Sequence, residues 1–186
     1  MNIDPATYRL DSARYVLSPN HDQRPREERI ELVVIHGMSL PPGQYGGTAI
    51  ERFFTNELDP AEHPYFEQIR ELRVSAHVVI YRDGSVTQFV PFDRRAWHAG
   101  QSRFGERIRC NDFSIGIELE GTDTEPYTAV QYEVLGKMLV AIKRAYPTVN
   151  AVRGHSHIAA GRKTDPGPAF DWGQLASRLP EGVATA

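Results

Sequence analysis

Apolar and polar positions follow two kinds of pattern along the chain, and each predicts its own element. ELVVIH (31 to 36) is a continuous, β-branched run of the kind carried by a strand buried on both faces, and it places His36 at the strand's carboxyl end. HVVIYR and SVTQFV flank Asp83-Gly84, a dipeptide that favours the mirror-image turn, so the two runs read as a hairpin. SIGIELE (114 to 120) alternates, with Ile115, Ile117 and Leu119 on one face and Gly116, Glu118 and Glu120 on the other. One face belongs to a core and the other is left for chemistry.

From Thr128 the period lengthens to that of a helix. Leu135, Met138, Leu139, Ile142 and Tyr146 recur at helical spacing up to Pro147, and Thr128 with Gln131 matches a capping box. IERFFTNELDPAEHPYFEQIRELR reads as one or two short helices interrupted near Pro60 and Pro64. With the Pro/Gly loop SLPPGQYGG before it, the 38 to 72 segment is a candidate lid. A short strand around NAVRGH (150 to 155), a Gly/Pro-rich loop and a helix near DWGQLASRL follow, while the first thirty residues are polar and punctuated by proline. No repeat or linker divides the chain, so residues 1–186 are expected to form a single α/β domain.

Composition narrows the function classes. A chain of 186 residues that is 40% hydrophobic can bury a core without disulfide or metal staples. Lys and Arg number 21 against 24 Asp and Glu, for a net charge of −3, and no basic stripe breaks the balance, so a nucleic-acid partner is not expected. The opening residues lack a basic-then-apolar leader, and no apolar run is long enough to cross a bilayer, so neither export nor a membrane partner is expected. Cys110 is the sole cysteine, which fits a reducing, cytoplasmic setting.

The residues that carry chemistry lie in GHSHIAAGRKTDPGP, VVIHG and GIELEG. His155 and Asp165 offer a nitrogen and an oxygen ligand across a loop, and His36 could supply a third donor from its strand end. Together with one water these would give Zn2+ the open tetrahedral site used in hydrolysis. Lys163 and Asp165 are two residues apart, so in an extended segment both side chains point the same way. The residues alone leave other readings open. His36 could be a core histidine, Glu118 and Glu120 a solvated carboxylate pair, and Lys163 with Asp165 a surface ion pair. His77, at a strand start, is a rival ligand, and Cys110, with no recognisable histidine partner, reads as a packing residue.

The ordered set VVIHG, SLPPGQYGG, LRVSAH, RDGSVTQFVPFDRRAWHAG, CNDFSIGIELEGTD and GRKTDPGPAFDW spans about Tyr15 to about Trp172. It resembles the zinc N-acetylmuramoyl-L-alanine amidases, and within them the cytoplasmic 1,6-anhydro-N-acetylmuramyl-L-alanine amidases (AmpD-type) of peptidoglycan recycling. The resemblance implies a mixed β-sheet flanked by helices, as in peptidoglycan-recognition folds, with zinc on His36, His155 and Asp165. It implies a catalytic carboxylate at Glu118 and a catalytic lysine at Lys163, and it raises Trp97, Arg73 and Arg109 as substrate contacts. His77 is then placed beside the site in a supporting role, and His21, His63 and His98 read as structural or surface residues, His98 within the WHAG segment that lines the family's cleft.

Two positions depart from the family: His157 stands where an Asp is usual, and Gly37 where close relatives often carry Asn. His157 is therefore kept as a supporting group or competing ligand. The implied activity is cleavage of the amide between the lactyl group of anhydromuramic acid and L-alanine of the stem peptide, which in this family limits β-lactamase induction. The implied partner is a small muropeptide and the expected state is a monomer. A non-catalytic muropeptide-binding module and a wall-lytic amidase acting on intact murein are the alternatives, and the complete set of candidate ligands favours catalysis.

Overall fold

The polar opening segment is not irregular throughout: it contributes two short strands, β1 (Arg14–Tyr15) and β2 (His21–Gln23), in the computed structural model, which describes residues 1–185. After them come β3 (Leu32–Met38), α1 (Ala49–Phe54) and α2 (Pro64–Ile69). Four short strands follow, β4 (Val78–Ile80), β5 (Val86–Gln88), β6 (Arg94–Ala96) and β7 (Arg103–Phe104), then β8 (Arg107–Ile108) and the long β9 (Ser114–Glu120). The chain finishes with α3 (Ala129–Ala145), β10 (Ala151–Gly154), α4 (His155–Ile158) and α5 (Trp172–Ala176).

The main sheet has the order β1-β5-β4-β9-β3-β10. Among the described strands of this sheet only β4 and β5 run antiparallel, and the turn between them is not the mirror-image type expected at Asp83-Gly84. Gly84 N–H donates to the Tyr81 carbonyl at 2.9 Å, so Arg82 and Asp83 are the central residues, and of the pair only Gly84 takes a positive φ, 84°. The remaining neighbours are parallel, which makes the sheet mixed and gathers the carboxyl ends of β9, β3 and β10 along one edge of the molecule. In parallel sheets that edge is where ligands bind.

The β-branched run of β3 is buried on both faces because apolar layers cover both. Val33 and Ile35 join Ile115, Ile117 and Leu119 of β9 in a core closed by Leu135, Met138, Leu139 and Ile142 of α3. Leu32 and Val34 face the other way, toward Phe113, Ala151 and Ile158. Burying one such aliphatic side chain contributes about 1.5–3 kcal/mol, so the α3 face alone anchors the centre of the sheet. The capping box forms as read: Gln131 N–H donates to Thr128 Oγ1, and Thr128 N–H donates to Gln131 Oε1.

The 38 to 72 segment is seated by its own cluster. Phe53, Phe54, Phe66 and Ile69 are buried against Val79, Phe89 and Ala96, and Glu120 holds the preceding loop by accepting from Gly46 N–H at 2.6 Å. Among the described residues no helix is long and apolar enough to cross a membrane.

Candidate metal centre

Strand register brings the site together. His36 on β3 lies directly opposite Glu118 on β9, and Ile35 is paired with Gly154, so the next residue of that chain, His155, stands beside His36. Asp165 arrives from the loop after α4, whose first turn it also holds: its carbonyl accepts from Ser156 N–H at 2.9 Å. The two Nδ1 atoms are 3.0 Å apart, and each lies 3.1 Å from Asp165 Oδ2. Among the described residues this is the one group of three such donors close enough to share an ion.

The protons around the two imidazoles decide what fits there. Burial holds His36 down to about 4, with the neighbouring Asp165 carboxylate offsetting only part of that effect, and burial likewise keeps His98 well below the usual histidine range. Each ring is therefore neutral near pH 7, with one N–H and one lone pair. Ser114 Oγ–H donates to the Cys110 carbonyl at 2.5 Å, so the hydroxyl oxygen accepts from His98 Nε2–H at 3.2 Å. His98 Nδ1 then accepts from His36 Nε2–H at 2.9 Å, which leaves His36 Nδ1 bare. His155 Nε2 lies 3.1 Å from the Ala99 carbonyl, which turns its Nδ1 toward His36 and Asp165.

His36 Nδ1, His155 Nδ1 and Asp165 Oδ2 thus converge within 3.1 Å of one another. A cation shared by the three atoms suits that arrangement. The separations are close to the roughly 3.3 Å expected between ligands bound tetrahedrally at 2.0–2.1 Å, and a His, His, Asp donor set is one that zinc accepts. Zinc fits these residues.

The donors sit in a cleft of about 500 Å³ whose lining includes Glu118, Lys163 and Asp123 on the polar side and Tyr65, Leu72 and Val74 on the apolar side. Glu118 Oε2 is shielded from solvent and has no hydrogen-bond partner among the described residues. Burial pushes its carboxyl well above the ordinary range, the Asp165 charge adds to this, and Lys163 opposes it. Glu118 and Glu120 are not a solvated pair, because Glu120 is buried and held by backbone N–H groups of Gly46 and Arg82. Lys163 leaves a turn, not an extended strand, and forms no ion pair with Asp165 among the described residues.

The other expected residues fall elsewhere. His77 lies one layer back, accepting from Gly116 N–H at 2.9 Å and donating to the Arg94 carbonyl at 3.0 Å. His157 turns away from the donors: its Nδ1 accepts from Gly154 N–H at 3.0 Å and its ring lies against Trp172. It steadies the turn that carries His155 and is not placed to compete for the ion. Arg73 folds back on the carbonyls of Arg70 and Leu72, and Arg109, 73% exposed, pairs with Asp112 at 3.2 Å. Trp97 is half-buried and bonded through its backbone N–H to Ser75 Oγ. None of these three lines the cleft, so the structure does not bring them to the metal donors.

His98 borders the cleft, as the resemblance implied for the WHAG segment, but it is buried, and its contact with His36 at 2.9 Å was not expected. The signal for it was its place two residues beyond β6 beside a glycine on β9, which only the fold reveals. Cys110 is buried, and burial pushes its thiol up, as suits a packing residue. A second recess, about 600 Å³ and bordered by Arg24, Arg26, Arg29 and Arg94, lies apart from these donors.

Comparison with known proteins agrees with this geometry. Residues 26–168 match the N-acetylmuramoyl-L-alanine amidase family. The chain is 54% identical over 171 residues to the 1,6-anhydro-N-acetylmuramyl-L-alanine amidase AmpD of Enterobacter cloacae, covering 91% of each protein. It is 55% identical over 167 residues to the protein of the same name from Escherichia coli K12, covering 89% of this chain and 91% of that one. A crystal structure of a selenomethionine AmpD derivative superposes with a TM-score of 0.94 at 52% identity, covering 97% of this chain and 100% of the other. The Escherichia coli amidase AmiD, solved with anhydro-N-acetylmuramic acid-L-Ala-D-γ-Glu-L-Lys, superposes at 0.56 with 26% identity, covering 95% of this chain and 65% of that one.

Proposed function

The chain belongs to the N-acetylmuramoyl-L-alanine amidase family, and from that premise we propose that it hydrolyses the amide joining the lactyl group of 1,6-anhydro-N-acetylmuramic acid to L-alanine, as a zinc enzyme acting on small muropeptides in the cytoplasm. The observation that carries the reading is the convergence of His36 Nδ1, His155 Nδ1 and Asp165 Oδ2 in the cleft that also holds Glu118 and Lys163. A bound zinc ion supplies Lewis-acid polarisation of the amide carbonyl and makes water more acidic.

The side chains do the rest. Glu118, whose buried carboxylate has a raised proton affinity, accepts the proton of the attacking water and delivers it to the leaving amine of L-alanine. Lys163 presents its ammonium to the oxygen on which negative charge grows, inside a cleft whose apolar wall strengthens that attraction. His36 and His155 hold their lone pairs on the metal side through the bonds at their Nε2 atoms. Tyr65, Leu72 and Val74 offer an apolar surface to the methyl groups of the lactyl and alanyl units.

The test is release of the stem peptide from anhydromuramyl-tripeptide by zinc-loaded protein, followed chromatographically, beside a chelator-treated control and intact murein. Release from the soluble substrate, lost on chelation, is expected. Binding without cleavage would favour a recognition module, and faster action on intact murein would favour a wall-lytic amidase.

A further inference from the structure

The two histidines of the donor set are held by consecutive residues of one segment. His98 accepts from His36 Nε2–H at 2.9 Å, and the Ala99 carbonyl accepts from His155 Nε2–H at 3.1 Å. Neither contact depends on a flexible partner. Asn111 Oδ1 accepts from the backbone N–H groups of both His98 and Ala99, at 3.1 and 2.8 Å, and Arg162 donates to the Ala99 carbonyl at 2.7 Å. The His98 ring lies flat over the backbone of β9 at Gly116, where any Cβ would stand 2.4 Å from its Cγ. The far side of the ring is fixed by Ser114, whose own hydrogen is committed to the Cys110 carbonyl.

We propose that His98 and Ala99 form one positioning unit that sets the tautomer of both metal-binding histidines, with Ser114, Asn111 and Gly116 keeping that unit in place. It rests on the zinc reading of the donor set. Its chemical content is that the hydroxyl of Ser114 forces His98 to carry its proton on Nε2, and His98 in turn forces His36 to carry its proton on Nε2, so the lone pair that faces Asp165 is always available. Without the acceptor at His98, the His36 proton could move to Nδ1 and block the site. Contacts of this kind around metal-binding histidines typically change affinity by about 10- to 100-fold.

Two measurements test this on the full chain. Long-range 1H-15N spectra of the imidazoles in metal-free protein near pH 7 are expected to show His36, His98 and His155 each protonated on Nε2; a His36 protonated on Nδ1 overturns the proposal. Zinc affinity is then read by competition with a chromophoric chelator. His98→Leu, which fills the space and offers no acceptor, is expected to weaken zinc binding about 10- to 100-fold, whereas His98→Asn, whose Oδ1 can stand in for Nδ1, retains most of it. Equal zinc affinity in wild type and His98→Leu overturns the positioning role while leaving the donor set intact. Failure of the wild type to bind zinc at all would instead overturn the donor set, with loss of binding in His36→Ala as the matching control. Should His98→Leu fail to fold, the wild-type spectrum still decides.

Discussion

His36 and Glu118 face each other across adjacent parallel strands, one presenting a bare lone pair and the other a carboxylate oxygen with no partner. Among the described residues no group pairs with Glu118 Oε2. The cost of holding three lone-pair donors and a buried carboxylate together is borne by the apolar layers on both faces of the sheet, and it is recovered when a cation arrives.

Zinc should therefore raise thermal stability strongly. A ligand that binds only the folded protein stabilises it by about 4 kcal/mol at a thousandfold excess over its dissociation constant. For a chain of 186 residues that is a rise in Tm on the order of 10 °C. Differential scanning calorimetry of chelator-treated protein, before and after stoichiometric zinc, checks it, and in His36→Ala the shift is expected to vanish.

Glu118→Gln should abolish hydrolysis and stabilise the metal-free protein. Burial, reinforced by the Asp165 charge, raises the Glu118 carboxyl in the folded state above its ordinary value of 4.5. The folded protein therefore binds a proton there at pH values where the unfolded chain has lost it. Stability from this group is fully present below the unfolded value and declines as pH rises from there through the folded value. At pH 7 the amide variant escapes that loss, and a gain of about 1–3 kcal/mol is the scale for relieving one buried, unpartnered polar group. Thermal melts of both proteins at pH 4 and pH 7 should show the gap widening with pH. An unchanged gap would mean that Glu118 is solvated.

Gly37 and Tyr127 should be coupled. A Cβ at Gly37 would stand 2.0 Å from Tyr127 Oη, and that hydroxyl donates to the Pro166 carbonyl at 2.9 Å, directly after Asp165. Gly37→Ala alone is expected to cost about 1–3 kcal/mol by overpacking and to weaken zinc binding by loosening the Asp165 loop. Tyr127→Phe alone leaves the Pro166 carbonyl unpaired, at about 1–3 kcal/mol. The double variant should cost clearly less than the two together, because the second change removes the atom that the first one strikes. Additive costs in urea melts would contradict the contact.

Much of this fold was readable from pattern. The β-branched run of β3, the alternation of β9 and the spacing of α3 each reflect local burial, and each lies where its pattern placed it. The donors His36, His155 and Asp165 were readable because side-chain chemistry narrows the choices and the family resemblance selects among them. His98 was not, since its role depends on His36, 62 positions away, and on the missing side chain at Gly116. Nor were the short strands β1 and β2, which are stabilised by pairing with distant segments and not by their own hydrophobicity.

Arg24 is the clearest case of a residue hidden from pattern, and it carries the last prediction. It lies in the polar, proline-punctuated opening segment, and burial pulls its guanidinium down to about 10. Its Nη1 donates to the carbonyls of Asn111 and Asp112, and its Nη2 donates to those of Phe92 and Ser114. Asn111 and Ser114 are the residues whose side chains hold the His98 segment. Arg24→Met keeps the aliphatic stem and removes the donors, leaving four carbonyls to find new partners. Escape from burying a charge offsets part of that, so the net loss is expected to be about 2–4 kcal/mol, a fall in Tm on the order of 10 °C. Zinc affinity should fall with it, although Arg24 touches none of the donors, because the His98 ring loses its seat. Circular dichroism melts and the chelator competition check both effects. A variant that melts like the wild type, or one that loses stability with zinc affinity intact, would show that the segment around Asn111 and Ser114 is held by something other than Arg24.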